Sequence, residues 1–340
     1  MKFNKKTKAV ILAGSGDVKV NSAAHPPAAL WPIMDQSVIQ HLIKNLADHH
    51  VPKAAICCSA QSAAAYESIQ FDPRIEIEFL HESLPLGPAG CIRAAVQKDS
   101  DELLLVLSAN MTCPVDITEI LSTHQSTNAD MTVMFNPAGN NGKITGQTSG
   151  IYVCNPDVTS HIPEEGYFDI KEGLIPKLVQ AGKKVYAKAL PAPAGNFRNF
   201  REYLFAVQEY LEYYARQKLN LPLYKSDNTA TVWARQDSQI HESARLFGPV
   251  VILQGAAIEE NTTIFGPAVI GPSVTIARDT VIVNSVCWKN SQLDPNCKIQ
   301  NCVITENAFL PTNNTASDQF ITPKPGLFVS GSIKKGLAAM

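Results

Sequence analysis

Nucleotide phosphates are held by backbone amides that stand free at the end of a strand, with no side chain in the way. The stretch AVILAGSGDVKVNSAAHPPAALWPI, which begins at Ala9, has that form. Its apolar run AVIL empties into a glycine loop, so Leu12, Ala13, Gly14, Ser15 and Gly16 are candidate nucleotide-binding residues. Lys19 is the one lysine in the stretch, and there is no arginine. The shape suits a nucleotide, yet phosphoryl transfer also needs cations over the developing charge, and these are scarce.

Other chemistry-bearing residues are harder to assemble into a site. Asp116 stands before ITEILSTH and Asp169 before IKEGLIPKL, where an N-cap and a first-turn acid are the expected roles. His41, His49 and His50 lie on or just past the first helix, without a carboxylate or cysteine at ligand spacing, and are expected to be solvated or capping. The eight cysteines (Cys57, Cys58, Cys91, Cys113, Cys154, Cys287, Cys297 and Cys302) include no CxxC pair. Reduced, mostly buried thiols are expected, and a structural zinc is not. No GxSxG, GKS or HExxH motif is present.

The elements that must position these residues follow from hydrophobic periodicity. Short apolar runs (AVIL, KAAICC, IEIEFL, LLLVLS, MTVMF) alternate with segments such as SVIQHLIKNLADH and DITEILSTH, whose apolar residues recur at i, i+3, i+4 and i+7. That alternation predicts a Rossmann-like, doubly wound and mostly parallel α/β sheet, with ligands at the carboxyl ends of its strands. The 340 residues suit about two domains, and 45% hydrophobic with 18% charged residues is ordinary globular usage. A net charge of −2, with no basic block beyond the leader KFNKKTK, argues against nucleic acid as a partner. No apolar run approaches the roughly 20 residues of a bilayer span, and the leader lacks a signal-peptide core, so a cytoplasmic protein with no membrane partner is expected.

Beyond about residue 236 the grammar changes. An apolar residue recurs every six positions at Ile240, Leu246, Ile252, Ile258, Ile264, Ile270, Ile276, Ile282 and Trp288. Four places after most of them comes a small or β-branched one, from Ala244 and Val250 to Thr280 and Val286. Neither a helical nor a simple strand period gives both series, whereas a left-handed parallel β-helix of hexapeptide repeats requires them. The phase slips between Leu293 and Ile299, which predicts a corner insertion, and the repeats fade after Leu310. The expected organisation is an α/β domain over 1–217, a linker over 218–236, the β-helix over 237–312 and a tail over 313–340. The flat faces and coil ends of the β-helix predict a homo-oligomer.

Three segments in order carry a resemblance: LAG with its glycine loop, PLGPAG (Pro85–Gly90) and GIYVCNP (Gly150–Pro156). Together with the hexads, the set resembles the sugar-1-phosphate nucleotidyltransferases, or NDP-sugar pyrophosphorylases, across residues 8 to 310. That resemblance implies that Leu86, Gly87, Ala89, Gly90 and Asn110 join the glycine loop in holding a nucleotide. It also implies a reaction in which a sugar phosphate oxygen attacks the α-phosphorus of a nucleoside triphosphate, with pyrophosphate leaving.

The charged stations of the family pattern are replaced here. Its arginine falls near Val18 or Lys19, its PKP lysine on Ala28, and its two metal-binding aspartates on Asn110 and Asn196. Where the family has an EKP segment, only Lys143 remains, in a turn primed by NNG. No metal site is expected, and Mg²⁺ enters only if the protein is active after all. The departures predict a catalytically degenerate member that binds a nucleotide or NDP-sugar in a regulatory or scaffolding role, paired with itself or with an active paralogue. The alternative is an active nucleotidyltransferase in which Lys19, Asp116 or Asp169 takes a new role. A third reading, the β-helix as an acyltransferase, rests on His241 alone at the start of the coils.

Overall fold

In the computed structural model, residues 6–14, 26–96, 101–112, 114–138, 143–217, 221–226 and 230–323 are described. The chain divides into two compact units, Met1–Tyr210 and Leu211–Met340.

The first unit is a seven-stranded sheet. Its strands are β1 (Thr7–Leu12), β2 (Lys53–Ser59), β3 (Glu76–Glu82), β4 (Leu103–Ser108), β5 (Met131–Ala138), β6 (Lys143–Cys154) and β7 (Val185–Ala189). The order across the sheet is β3-β2-β1-β4-β6-β5-β7. Strands β3, β2, β1 and β4 are mutually parallel, and β6 alone runs against its neighbours. Strands β1, β2 and β4, in the middle of the sheet, are buried on both faces, as parallel strands covered by helices are, whereas the edge strand β3 alternates with exposed residues. Ala9 and Ile11 pack into one core layer, and Val10 and Leu12 into the other.

Helix α1 (Val38–Asp48) shows how local sequence sets an element. Ser37 and Gln40 form a capping box, in which the Ser37 N–H donates to Gln40 Oε1 at 2.9 Å. Val38, Ile39, Leu42, Ile43 and Leu46 then recur at helical spacing and are all buried. Helices α2 (Ala63–Glu67), α3 (Gly87–Ala95), α4 (Ile117–Thr127), α5 (Ile175–Gln180) and α6 (Phe200–Gln217) complete the set. The strand order reverses direction between β1 and β4, and a doubly wound sheet binds its ligands at that crevice.

The second unit is the left-handed parallel β-helix that the hexads predict, with short strands stacked in parallel ladders on three faces. Leu246, Ile252, Ile258, Ile264, Ile270, Ile276 and Ile282 fill its interior. Trp288 does not continue that series: Cys287 is the interior residue, while Trp288 packs edge-on against Phe320 at 5.7 Å. The phase slip is a shortening, not an insertion, and it comes earlier than Leu293. Ile252 pairs with Ile270, whereas Ile270 pairs with Cys287, one residue sooner.

The corners explain it. Left-handed residues stand at Asn261, Ser273, Asp279, Asn284, Asn290, Asn296, Asn301, Asn307, Asn313 and Asp318. The steps from Asp279 to Asn284, Asn296 to Asn301 and Asn313 to Asp318 are five residues instead of six. Asparagine and aspartate tolerate this conformation better than other residues with a Cβ. The coils run past Leu310 into Thr315–Ser317 and Phe320–Ile321. Within the span expected to be a linker, Ala230–Ala234 pairs with the first long strand of the coil stack.

Candidate functional site

The crevice between β1 and β4 is built mainly from backbone. At the end of β1, Leu12 is paired with Cys57 on one side and Ser108 on the other. The Ala13 N–H donates to the Cys57 carbonyl at 2.8 Å, and the Ala109 N–H to the Leu12 carbonyl at 3.2 Å. Gly14 follows, exposed, and a Cβ there would stand 3.2 Å from Glu82 Oε1. Ser15, Gly16, Val18 and Lys19 lie outside the described residues.

The PLGPAG turn is held in shape by a partner that periodicity could not reveal. The Phe168 N–H donates to the Leu86 carbonyl at 2.9 Å, and the Ala89 N–H to the Phe168 carbonyl at 3.0 Å. Gly87, at φ +74°, passes so close that a Cβ would sit 2.7 Å from the Phe168 carbonyl oxygen. A Cβ on Gly90 would meet Leu86 Cβ at the same separation, 2.7 Å. Glu82 braces the turn from β3: Oε2 accepts from the Leu86 N–H at 3.2 Å, and Oε1 from the Cys91 thiol at 2.8 Å. The Cys57 hydrogen bond, burial and the Glu82 carboxylate together push the Cys91 thiol far up, so it is no nucleophile at neutral pH. The signal for the Phe168 brace was Gly173, five residues on, whose missing side chain makes room for the Phe168 ring.

At the end of β4 the structure brings together residues from three distant segments. Ser108 Oγ donates to Asn110 Oδ1 at 2.7 Å, and Asn110 Nδ2 donates to the Phe197 carbonyl at 2.6 Å. Thr112 holds the Gly195 carbonyl at 2.9 Å. Gly150, at φ +77°, lies against Ser108 and Asn196, and Asn196 Oδ1 is buried without a hydrogen-bond partner. Phe197 stacks on Trp31 at 5.5 Å, and Tyr203 meets Trp31 edge-on at 5.2 Å. The Tyr203 hydroxyl donates to the Pro32 carbonyl. This aromatic cluster fixes the segment carrying Asn196, and the spacing of single residues gave no hint of it.

Ala28, at the position of the expected lysine, is buried in a single 3-10 turn, Ala28–Leu30. Asp116 and Asp169 stand as helix caps: Asp116 Oδ1 accepts from the Glu119 N–H at 2.9 Å, and Asp169 Oδ1 from the N–H groups of Lys171 and Glu172 at 2.6 and 3.0 Å. Lys143 opens β6, paired with Ala138 of β5. His49 caps α1 and meets the Thr118 hydroxyl at 3.0 Å. His41 is neither solvated nor capping: Nε2 faces the Ile33 carbonyl at 2.9 Å and Nδ1 the Tyr210 hydroxyl at 3.4 Å. Burial lowers its pKa, with a partly opposing push from the Ile33 hydrogen bond. His241 has a neighbour after all, the Ser243 hydroxyl at 2.8 Å, but that hydroxyl is bound to the Asn261 N–H in the next coil.

The resemblance implies a divalent cation at Asn110 and Asn196, and the side chains present do not fit one. Magnesium favours anionic oxygens with free lone pairs facing it. The Asn110 amide is neutral and spent on Ser108 and Phe197, and Asn196 Oδ1 is closed off from solvent. Among the described residues no group of three or more His, Cys, Asp or Glu side chains could hold a metal. No described helix is long and apolar enough to cross a membrane.

Residues 8–144 match the nucleotidyl transferase family model. A UTP–glucose-1-phosphate uridylyltransferase from Synechocystis sp. (strain ATCC 27184 / PCC 6803 / Kazusa) is 24% identical over 372 aligned positions, covering 93% of each chain. The crystal structure of HddC from Yersinia pseudotuberculosis has 17% identity and a TM-score of 0.49, covering 60% of this chain and 99% of that one. The LAG loop, the PLGPAG turn and the GIYV strand gather around one crevice, and over residues 8–144 the chain is similar to the nucleotidyl transferase family.

Proposed function

We propose that this protein is a catalytically degenerate nucleotidyltransferase that binds a nucleotide or NDP-sugar and acts as a regulatory or scaffolding member of sugar-nucleotide metabolism, as a homo-oligomer or beside an active paralogue. Leu12, Ala13, Gly14, Ser15, Gly16, Leu86, Gly87, Ala89, Gly90 and Asn110 form its ligand cradle. The observation that carries the reading is the Asn110 amide, whose two polar atoms are committed to Ser108 and Phe197. A group so engaged holds a loop in place and offers no anionic oxygen to hold a cation beside a transferring phosphoryl group. The braced PLGPAG turn, by contrast, keeps the backbone shape that binding needs. Binding tolerates the loss of charge better than catalysis does, because one lost electrostatic contact costs about 3–4 kcal/mol of transition-state stabilisation.

A second reading, an active enzyme with atypical residues, is favoured by the uridylyltransferase relative that aligns over 93% of both chains. Pyrophosphate release, measured with Mg²⁺ over a panel of nucleoside triphosphates and sugar 1-phosphates, decides between the two. Release above the uncatalysed background overturns the degenerate reading. Thermal unfolding with UDP-glucose and related NDP-sugars tests the binding claim, since a ligand held only by the folded state raises the midpoint. A midpoint unmoved by every NDP-sugar removes the claim.

A further inference from the structure

We propose that the Asn110 amide does the work a divalent cation would otherwise do at this crevice, so that the protein takes its nucleotide ligand without one. The inference rests on the binding reading above, and it starts from one geometric fact. Asn110 Nδ2 lies 2.6 Å from the Phe197 carbonyl oxygen while Oδ1 takes the Ser108 hydroxyl at 2.7 Å. The amide nitrogen supplies positive character to the Phe197 carbonyl oxygen, as a cation held at this position would. An ionised carboxylate in that place would set oxygen against oxygen at the Phe197 carbonyl, a repulsion that a bridging cation relieves at neutral pH.

Asn196 supports the same conclusion independently. Its Oδ1 is buried with no donor, which a neutral amide tolerates at modest cost and a carboxylate does not. Gly150 closes the remaining space: a Cβ there would lie 2.7 Å from Ser108 Cβ and 3.5 Å from Asn196 Nδ2. The cluster is packed and neutral, and the Asn110 amide is hydrogen-bonded from within it. The ligand class it suits is a nucleoside diphosphate sugar bound as the free anion by backbone N–H groups, not a metal–nucleotide chelate.

The test has a binding arm and a folding arm. Calorimetric titration of the wild-type protein with UDP-glucose, in EDTA and in excess Mg²⁺, is expected to give affinities within about twofold of each other, a difference of under half a kcal/mol. A fall of tenfold or more in EDTA overturns the proposal. In the folding arm, Asn110→Asp is expected to unfold earlier than Asn110→Ala in EDTA, and to recover by several degrees with Mg²⁺ or Mn²⁺. Wild type and Asn110→Ala are expected to be indifferent to either metal. Asn110→Asp as stable as wild type in EDTA at pH 7, or showing no recovery with cation, overturns the proposal. If the wild type binds no nucleotide in either buffer, the function proposed above fails, and the folding arm still decides whether the amide stands in for a cation.

Discussion

A Cβ added to Gly87 would lie 2.7 Å from the carbonyl oxygen of Phe168, and Gly87 already has φ +74°. The backbone of one segment is therefore pressed against that of another, and the PLGPAG turn exists only as a pair with Phe168. Gly87→Ala adds left-handed strain of about 1–3 kcal/mol to an overlap with rigid backbone, not with a yielding side chain. Its thermal midpoint is expected to fall by several degrees. The fall should be accompanied by loss of any NDP-sugar response, since the Leu86–Gly90 amides move together. A Gly87→Ala protein that melts and binds like the wild type would falsify the coupling.

Asp116 and Asp169 separate the degenerate reading from the active one. Both carboxylates accept backbone N–H groups at helix starts, and alanine there is expected to cost about 1 kcal/mol each. Asparagine caps nearly as well as aspartate, so Asp116→Asn and Asp169→Asn should keep the stability while removing the charge. Denaturant unfolding measures the first effect, and pyrophosphate release the second. A protein whose release disappears with either asparagine variant, at unchanged stability, is using that carboxylate for chemistry.

How much of this was legible in the sequence depended on whether the signal was periodic. The sheet was readable because Ala9–Leu12 and Leu103–Ser108 are apolar on both faces, as buried parallel strands are. The β-helix was readable from six-residue spacing up to Ile282. Past that point the apolar series alone misled: Trp288 kept the count, whereas Cys287 keeps the interior. The asparagines held the true phase, because the left-handed corner residue at Asn284 marks where a coil drops one residue. In the site, single positions such as Asn110 were visible, but their partners were not. Phe168 pairs with Leu86 across 82 positions and Phe197 with Asn110 across 87, and no local pattern carries such distances.

His41 gives the fold a pH dependence with a definite sign. Its Nε2–H faces the Ile33 carbonyl and its Nδ1 the Tyr210 hydroxyl, an arrangement that the neutral ring satisfies. Burial lowers its pKa below the usual 6.5. Below the unfolded pKa, the unfolded state binds a proton that the folded state resists, so stability is full above about pH 7 and declines as the solution is acidified. One such group contributes a slope of at most about 1.4 kcal/mol per pH unit. Denaturant unfolding of wild type and His41→Gln between pH 8 and 5.5 is the measurement. The variant is expected to be less stable at pH 8 and to lose less on acidification. Equal slopes would place the pH response elsewhere.

The corners of the β-helix test whether conformation or side-chain bonding matters more. Asn290 combines both: it has φ +58°, and its Nδ2 donates to Asn307 Oδ1 in the next coil at 3.3 Å. Alanine removes the bond and keeps the left-handed strain, at a cost of about 1–2 kcal/mol. Glycine removes the bond and also the strain. The bond is long and exposed, so it is worth little, and Asn290→Gly is expected to lie within about 0.5 kcal/mol of the wild type while Asn290→Ala falls well below it. Ser273, at φ +54°, gives the converse case. Its replacement by glycine removes strain that serine carries without the advantage of asparagine, and is expected to raise the denaturation midpoint. If both glycine variants fall as far as Asn290→Ala, side-chain bonding between coils, not left-handed geometry, selects the residues at these corners.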